Sequence, residues 1–337
     1  MTGLWASWQR FWFEPESTAP LVLIRVAFGV LVLAWAGALA PDLLTFLGPD
    51  GLVASGPHYD GPALWTIFSP LDSSAAVIVG YVAMVVAAVA LIAGFQTRLA
   101  ALIIFVVLTS IERRNVWVTN SGDELIRIIA LILVLAPAGA AASIDSWRRG
   151  ERPWSFPLRS PWALRLLQVQ VSLLYLAALW AKVRGVTWND GTAVSYALRL
   201  DDMARFQPPA GFTQSELVAN ALTYGTLLVE FAIGVLVWNR RLRPYVLLAG
   251  VGLHLSIELT MRIGFFSWAV LVAYLAFVPP ETAERVIQRV RSIGRESWIT
   301  ARRKRALSIP RVDSRSLSMP VRVVPGDMAE KTKLPRL

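Results

Sequence analysis

The chain has 337 residues, 55% of them hydrophobic and 17% charged, with a formal net charge of +10 and no cysteine. A soluble domain carries about 25% charged residues, and a mean hydropathy of +0.52 puts this chain among polytopic membrane proteins. The missing cysteines exclude disulfides, thiol catalysis and iron–sulfur ligation. With His58 and His254 as the two histidines, zinc would need carboxylates for most of its ligands, so no metal is expected.

The expected fold class is all-α: a polytopic membrane helix bundle of about eight transmembrane helices, with both termini cytoplasmic. A β-barrel is disfavoured because its strands alternate in hydrophobicity, whereas these apolar runs are continuous. In residues 1–19, Trp5, Trp8 and Trp12 recur at helical spacing, which predicts an interfacial amphipathic helix. No removable signal peptide is expected, since Gly3 to Phe13 has neither an apolar h-region nor an A-x-A site.

Residues 20–280 form the predicted bundle. Its apolar segments lie at about 20–40, 74–94, 98–112, 122–139, 162–182, 216–238, 243–260 and 263–279. A charge at bilayer depth costs roughly 2.5–3.5 kcal/mol on insertion scales, so each one inside a span needs a partner or a role. Arg25 lies in the first span. Arg127 follows Asp123 and Glu124 by one turn, a spacing that predicts a local ion pair on one helical face. Glu230 lies deep in the sixth span, where it needs an arginine, with Arg25 the first choice, or a proton. His254 and Glu258 share a face of the seventh span.

Lys182 ends the fifth apolar run and opens the segment Lys182-Val183-Arg184-Gly185-Val186-Thr187-Trp188-Asn189-Asp190-Gly191. An amine there is either an anchor that snorkels to the interface or a base whose pKa is lowered by partial desolvation. In the predicted topology Asn120, Asp123, Glu124, Lys182, His254 and Glu258 share one depth on the extracytoplasmic side. A polar cavity open to the outer leaflet would satisfy them together.

Orientation follows from Lys and Arg in the connections. With the N-terminus inside, 24 of them fall on cytoplasmic segments and 7 on the opposite side. Fourteen lie after residue 279, against six Asp and Glu. Residues 281–309, where Val286, Ile287, Val290, Ile293 and Ile299 sit among arginines, read as a basic amphipathic helix on the anionic inner leaflet. Membrane lipid is the nearer anion, so nucleic acid is not an expected partner. Residues 310–337 are Ser-, Pro- and charge-rich and predict a disordered tail.

Several segments, in this order, carry a resemblance. Leu23-Ile24-Arg25 is followed by Gly94-Phe95-Gln96-Thr97-Arg98. Ser110 to Arg114 precedes Asn120-Ser121-Gly122-Asp123, and then come Pro137-Ala138-Gly139 and Ser143-Ile144-Asp145. Gln170 to Tyr175, the Lys182 segment, Glu230, His254 and Ile263-Gly264-Phe265-Phe266 complete the set. Together they resemble the HTTM (horizontally transferred transmembrane) family, related to the membrane domain of vitamin K-dependent γ-carboxylases. The resemblance implies a reduced menaquinone- or vitamin K-like quinol as cofactor and Lys182 as the base that activates it. His254, Glu258 and Asp123 would polarise that base. Asn120, Arg127, Trp188 and Tyr175 are the expected cofactor-binding residues, Arg25 and Glu230 the structural buried charges, and a redox protein a further partner.

The chain departs from the carboxylase pattern in three places. Lys182 and Trp188 are one residue further apart than in the animal enzymes, no histidine stands in Asn120 to Asp123, and no large extramembrane domain is seen. These departures weigh against protein glutamate carboxylation; the expected activity is a quinol-dependent, carboxylase/epoxidase-like or other lipid–quinone one at the cell membrane, with an extracytoplasmic-facing site. The competing class is a transporter, lipid-binding or assembly partner using the same cavity.

Overall fold

Each apolar segment marked out by the sequence is helical in the computed structural model, which describes residues 2–52, 65–152 and 154–293. In lipid a helix satisfies its backbone groups within itself, and continuous apolar runs suit it. In chain order the helices are α1 (Thr2–Phe13), α2 (Ala19–Leu39), α3 (Leu43–Leu47), α4 (Ser74–Ala93), α5 (Thr97–Arg114) and α6 (Ser121–Leu135). Then come α7 (Ile144–Arg148), α8 (Trp162–Lys182), α9 (Val186–Asn189), α10 (Ala193–Ala197), α11 (Ala210–Thr213), α12 (Glu216–Val235), α13 (Arg243–Thr260) and α14 (Phe266–Tyr274). Two short strands, β1 (Glu16–Ser17) and β2 (Leu158–Arg159), pair antiparallel and tie the segment after α1 to the entrance of α8.

Packing follows the chain. α2 lies on α4, α4 on α5 and α5 on α6; α8 lies on α12, α12 on α13 and α13 on α14. α14 joins the two groups by touching α2, α6 and α8. α4 shows how the sequence chooses its faces. Gly80, Met84, Ala87, Ala88 and Leu91 are buried, while Val79, Val82, Val86 and Val89 form an exposed stripe at spacings of three and four. An apolar stripe on the outside of a bundle suits acyl chains, not water.

Four helical stretches among the described residues are long and apolar enough to cross a membrane: Ala19–Leu47, Ser74–Ala93, Trp162–Lys182 and Glu216–Trp238. A fifth is counted if Phe266–Phe277 and the helix Pro280–Ile293, bent by 113°, are taken together. All eight expected segments contain helix, but only four of them, or five with the bent pair, are long and apolar enough to cross a membrane. α6, at 15 residues, reaches about 22 Å against a core of about 30 Å. α5 ends in Glu112, Arg113 and Arg114.

The described residues up to 288 form one compact unit. The helix from Pro280 buries Ala283 and Ile287 with Ala19, Val22 and Ala141, and Ser17 Oγ donates to Glu284 Oε1 at 2.5 Å. Most of the predicted basic helix, from residue 294, and all of the tail at 310–337 lie outside the described residues.

Arg25 corrects one expectation. It does not meet Glu230. Its guanidinium, 1% exposed, donates to the carbonyls of Ala138 (2.8 Å), Ala141 (3.1 Å) and Ala142 (2.5 Å). The loop after α6 ends a helix and so presents carbonyls without helical donors; one planar guanidinium serves three of them. Arg25→Met should lower stability by about 3 kcal/mol or more, because buried carbonyls would lose their donors. Thermal unfolding in detergent checks this, and an unchanged melting temperature would refute it.

Candidate functional site

α8 delivers two polar groups to one face, since Tyr175 and Lys182 are seven residues, or two turns, apart. The chain then turns sharply. Gly191 adopts φ +72°, and a Cβ there would lie 2.0 Å from Asn220 Oδ1 of α12, so both the conformation and the close approach demand glycine. Asn189 Nδ2 donates to the carbonyls of Val183 and Gly185, and Tyr224 Oη of α12 donates to Asn189 O at 2.8 Å. The Lys182 segment is thereby fixed against α12.

Lys182 Nζ lies 2.7 Å from Glu230 Oε1 and 5.2 Å from the centre of the Trp188 ring. The half-buried ammonium compensates the desolvation of the buried Glu230 carboxylate. Glu230 is 7% exposed, and its Oε2 has no hydrogen-bond partner among the described residues. Deeper on the same side, Tyr175 Oη meets His254 Nε2 at 2.5 Å and also the hydroxyl of Tyr274. His254 Nδ1 is buried without a hydrogen-bond partner among the described residues.

These groups line one cavity of about 380 Å³. Lys182, Glu230, Tyr175, His254 and Trp188 supply its polar and aromatic wall. Leucines, alanines and Phe212 from α8, α10, α11, α12 and α13 supply an apolar remainder. The lining combines a large apolar surface with a few convergent polar groups, the usual make-up of a small-molecule site.

The structure divides the residues that were expected to gather. Glu258 lies outside the cavity wall and pairs with Arg205 at 2.8 Å. Asp123 does not approach Lys182: Asn120 and Asp123 form the capping box that starts α6, and Asp123 Oδ1 accepts from Trp35 Nε1 at 2.7 Å. Arg127 forms its ion pair with Glu112 of α5, not with Asp123 or Glu124, because α5 packs along α6 and presents a buried carboxylate to it. The start of α6 abuts α14, where a Cβ on Gly122 would lie 2.7 Å from Phe266 N. Phe266, not Asn120, therefore reaches the cavity.

Sequence reasoning missed Tyr274, Glu112 and Trp35. Tyr274 is an uncharged hydroxyl at the end of an apolar helix and carries no charge signal. Glu112 sits among charged residues at a helix end and reads as surface.

A family model described as HTTM domain matches residues 13–281. Neither a curated protein nor a solved structure matches the chain.

The geometry assigns Glu230 to Lys182. In a double-mutant cycle, Lys182→Met and Glu230→Gln should be non-additive by about 1–3 kcal/mol, because each single change strands the other group. Glu230→Gln with Arg25→Met should be additive. Melting temperatures of the purified variants check both, and additivity for the first pair would refute the assignment.

Proposed function

This chain belongs to the HTTM domain family and is an integral membrane protein, and on that premise we propose that its 380 Å³ cavity is the working site for a lipid-borne ligand. The observation that carries the reading is the meeting of Lys182, Glu230, Tyr175 and His254 on one wall of an otherwise apolar cavity. An isoprenoid quinol, of the menaquinone or vitamin K kind, fits that contrast. Its chain would lie among apolar side chains, and its hydroxyls would meet the buried polar atoms that lack partners, Glu230 Oε2 and His254 Nδ1. When bound, a quinol supplies hydroxyl protons and a pair of electrons.

In this reading the Lys182 ammonium first passes its proton to the Glu230 carboxylate 2.7 Å away, and the neutral amine then takes a hydroxyl proton, which is general-base work and depends on position within hydrogen-bond reach. Glu230 holds the amine in place at 2.7 Å. Tyr175 is fixed by His254 and Tyr274 and orients the ring of the ligand. Trp188 covers the amine and limits water. Glu258, Asp123, Asn120 and Arg127 act at a distance, by fixing α13, α6 and their neighbours. A second reading, a lipid-binding or transport site without chemistry, is favoured by the same ion pair, because a lysine held by a carboxylate can serve as a fixed structural charge.

We further propose that the bundle crosses the cell membrane eight times with both termini cytoplasmic and the Lys182 cavity facing outward. Two sets of helix ends support this. The C-terminal ends of α8 and α13 and the N-terminal ends of α12 and α14 surround the cavity. At the other end, Gln168 near the start of α8 donates to Ala276 O after α14, as alternating directions require. The Lys/Arg bias has the same sense, and the basic helix after Pro280 would lie on the anionic inner leaflet.

Cysteines placed at Trp117 and at Arg241 should label from opposite sides of the membrane; labelling from one side removes the topology. Lipid extracts of the purified protein should contain an isoprenoid quinone, read by mass spectrometry. Lys182→Arg should abolish function in a complementation assay while insertion stays intact, because a guanidinium does not give up its proton in this range. A fully functional Lys182→Arg protein would reject the base and leave the binding or transport reading.

A further inference from the structure

A second cavity, of about 590 Å³, opens where the turn between α4 and α5 meets the loop after α6. Four arginines line it: Arg98 on α5, Arg148 on α7, Arg149 just after α7, and Arg159 on β2. Asp145 is the one carboxylate of the lining among the described residues, and it is already engaged. It accepts from Gln96 N (2.8 Å), Thr97 N (3.0 Å) and Thr97 Oγ1 (3.2 Å). Arg149 is committed too, to Glu151 at 3.0 Å and to Gly139 O at 3.0 Å. The hydrogen bond from Arg149 holds the Glu151 carboxyl below its ordinary range.

The other three arginines form no ion pair among the described residues; Arg148 rests over the Phe95 ring, 5.6 Å from its centre. The floor beneath them is rigid. Arg25 grips the carbonyls of 138, 141 and 142 from inside the bundle, and Arg149 grips that of 139 from outside. Beside the cavity, Phe95, Ile144 and Trp147 are exposed, Trp147 to 68%. Aromatic side chains of this kind gather at headgroup depth.

Three like charges held over one cavity repel each other unless an anion joins them. A guanidinium presents paired N–H groups that match phosphate oxygens bidentately. Basic pockets among membrane helices are suited to anionic headgroups, and the exposed apolar rim gives acyl chains a surface that a soluble phosphate would not use. We propose that this cavity binds the phosphate of an anionic membrane phospholipid. The site is separate from the Lys182 cavity, and its proposal does not depend on the chemistry there.

The test uses the full chain in zwitterionic detergent, with phosphatidylglycerol, phosphatidylcholine or inorganic phosphate added. Bound lipid is counted by native mass spectrometry and stability is read by thermal shift. Phosphatidylglycerol should bind and raise the melting temperature, phosphatidylcholine should not, and excess inorganic phosphate should leave the lipid in place. The variant Arg98→Gln/Arg148→Gln/Arg159→Gln should lose affinity by roughly fivefold for each arginine removed. Arg240→Gln/Arg241→Gln, which removes two arginines elsewhere, should bind as the parent does. Because the three side chains are exposed, folding should persist; Arg98→Gln and Arg159→Gln alone provide the same readout if the triple variant does not fold. Equal binding of phosphatidylcholine, undiminished binding by the arginine variants, or displacement of the lipid by inorganic phosphate would each overturn the proposal.

Discussion

A bundle surrounded by acyl chains cannot use water to satisfy a buried polar group, and this constraint shapes most of the side-chain geometry described above. Every buried charge must find its partner within the protein. Arg25 finds three carbonyls, Glu112 finds the half-buried Arg127, and Glu230 finds the half-buried Lys182. Each of these contacts links separate helices or loops, so satisfying the charge also fixes the packing. The apolar surfaces would be content with many arrangements; the polar contacts select one.

The constraint also explains why the two ends of the bundle differ. At one end, Lys182, Glu230, Tyr175 and His254 are gathered in a largely apolar cavity, with two buried atoms left over. Unsatisfied buried polar atoms are uncommon in native structures and tend to mark sites with a role. At the other end the charges are arginines at the mouth of an open cavity, next to exposed aromatic side chains. An enclosed polar wall suits recognition of one small head group, whereas an exposed basic rim suits the surface of the membrane itself.

Local rigidity supports both ends. Gly191 permits the turn that sets the Lys182 segment on Asn220, and the capping box of Asn120 and Asp123 fixes the start of α6 behind Phe266. Residues expected to polarise or bind at the site thus contribute through the scaffold. Asp123 holds Trp35 and Glu258 holds Arg205, and neither faces the cavity.

The sequence by itself determined the helices. The apolar runs at 20–40, 74–94, 162–182 and 216–238 fold almost where they were read, because hydrophobicity along a chain is a local property and a helix needs only its own neighbours. It also marked Lys182, Glu230 and His254 as costly or unusual, since a polar side chain in an apolar run is visible without any partner, whereas Tyr175 entered only through the family resemblance. Only the tertiary structure decided which of them meet. Arg25 and Glu230 are opposite charges in apolar helices, yet the first faces the loop after α6 and the second faces α8. Likewise Arg127 has carboxylates one turn away on its own helix, but the neighbouring helix supplies a buried one in direct reach. The rotation of each helix about its axis, set by packing with its neighbours, determines such pairings, and nothing in the linear order of residues encodes that rotation directly.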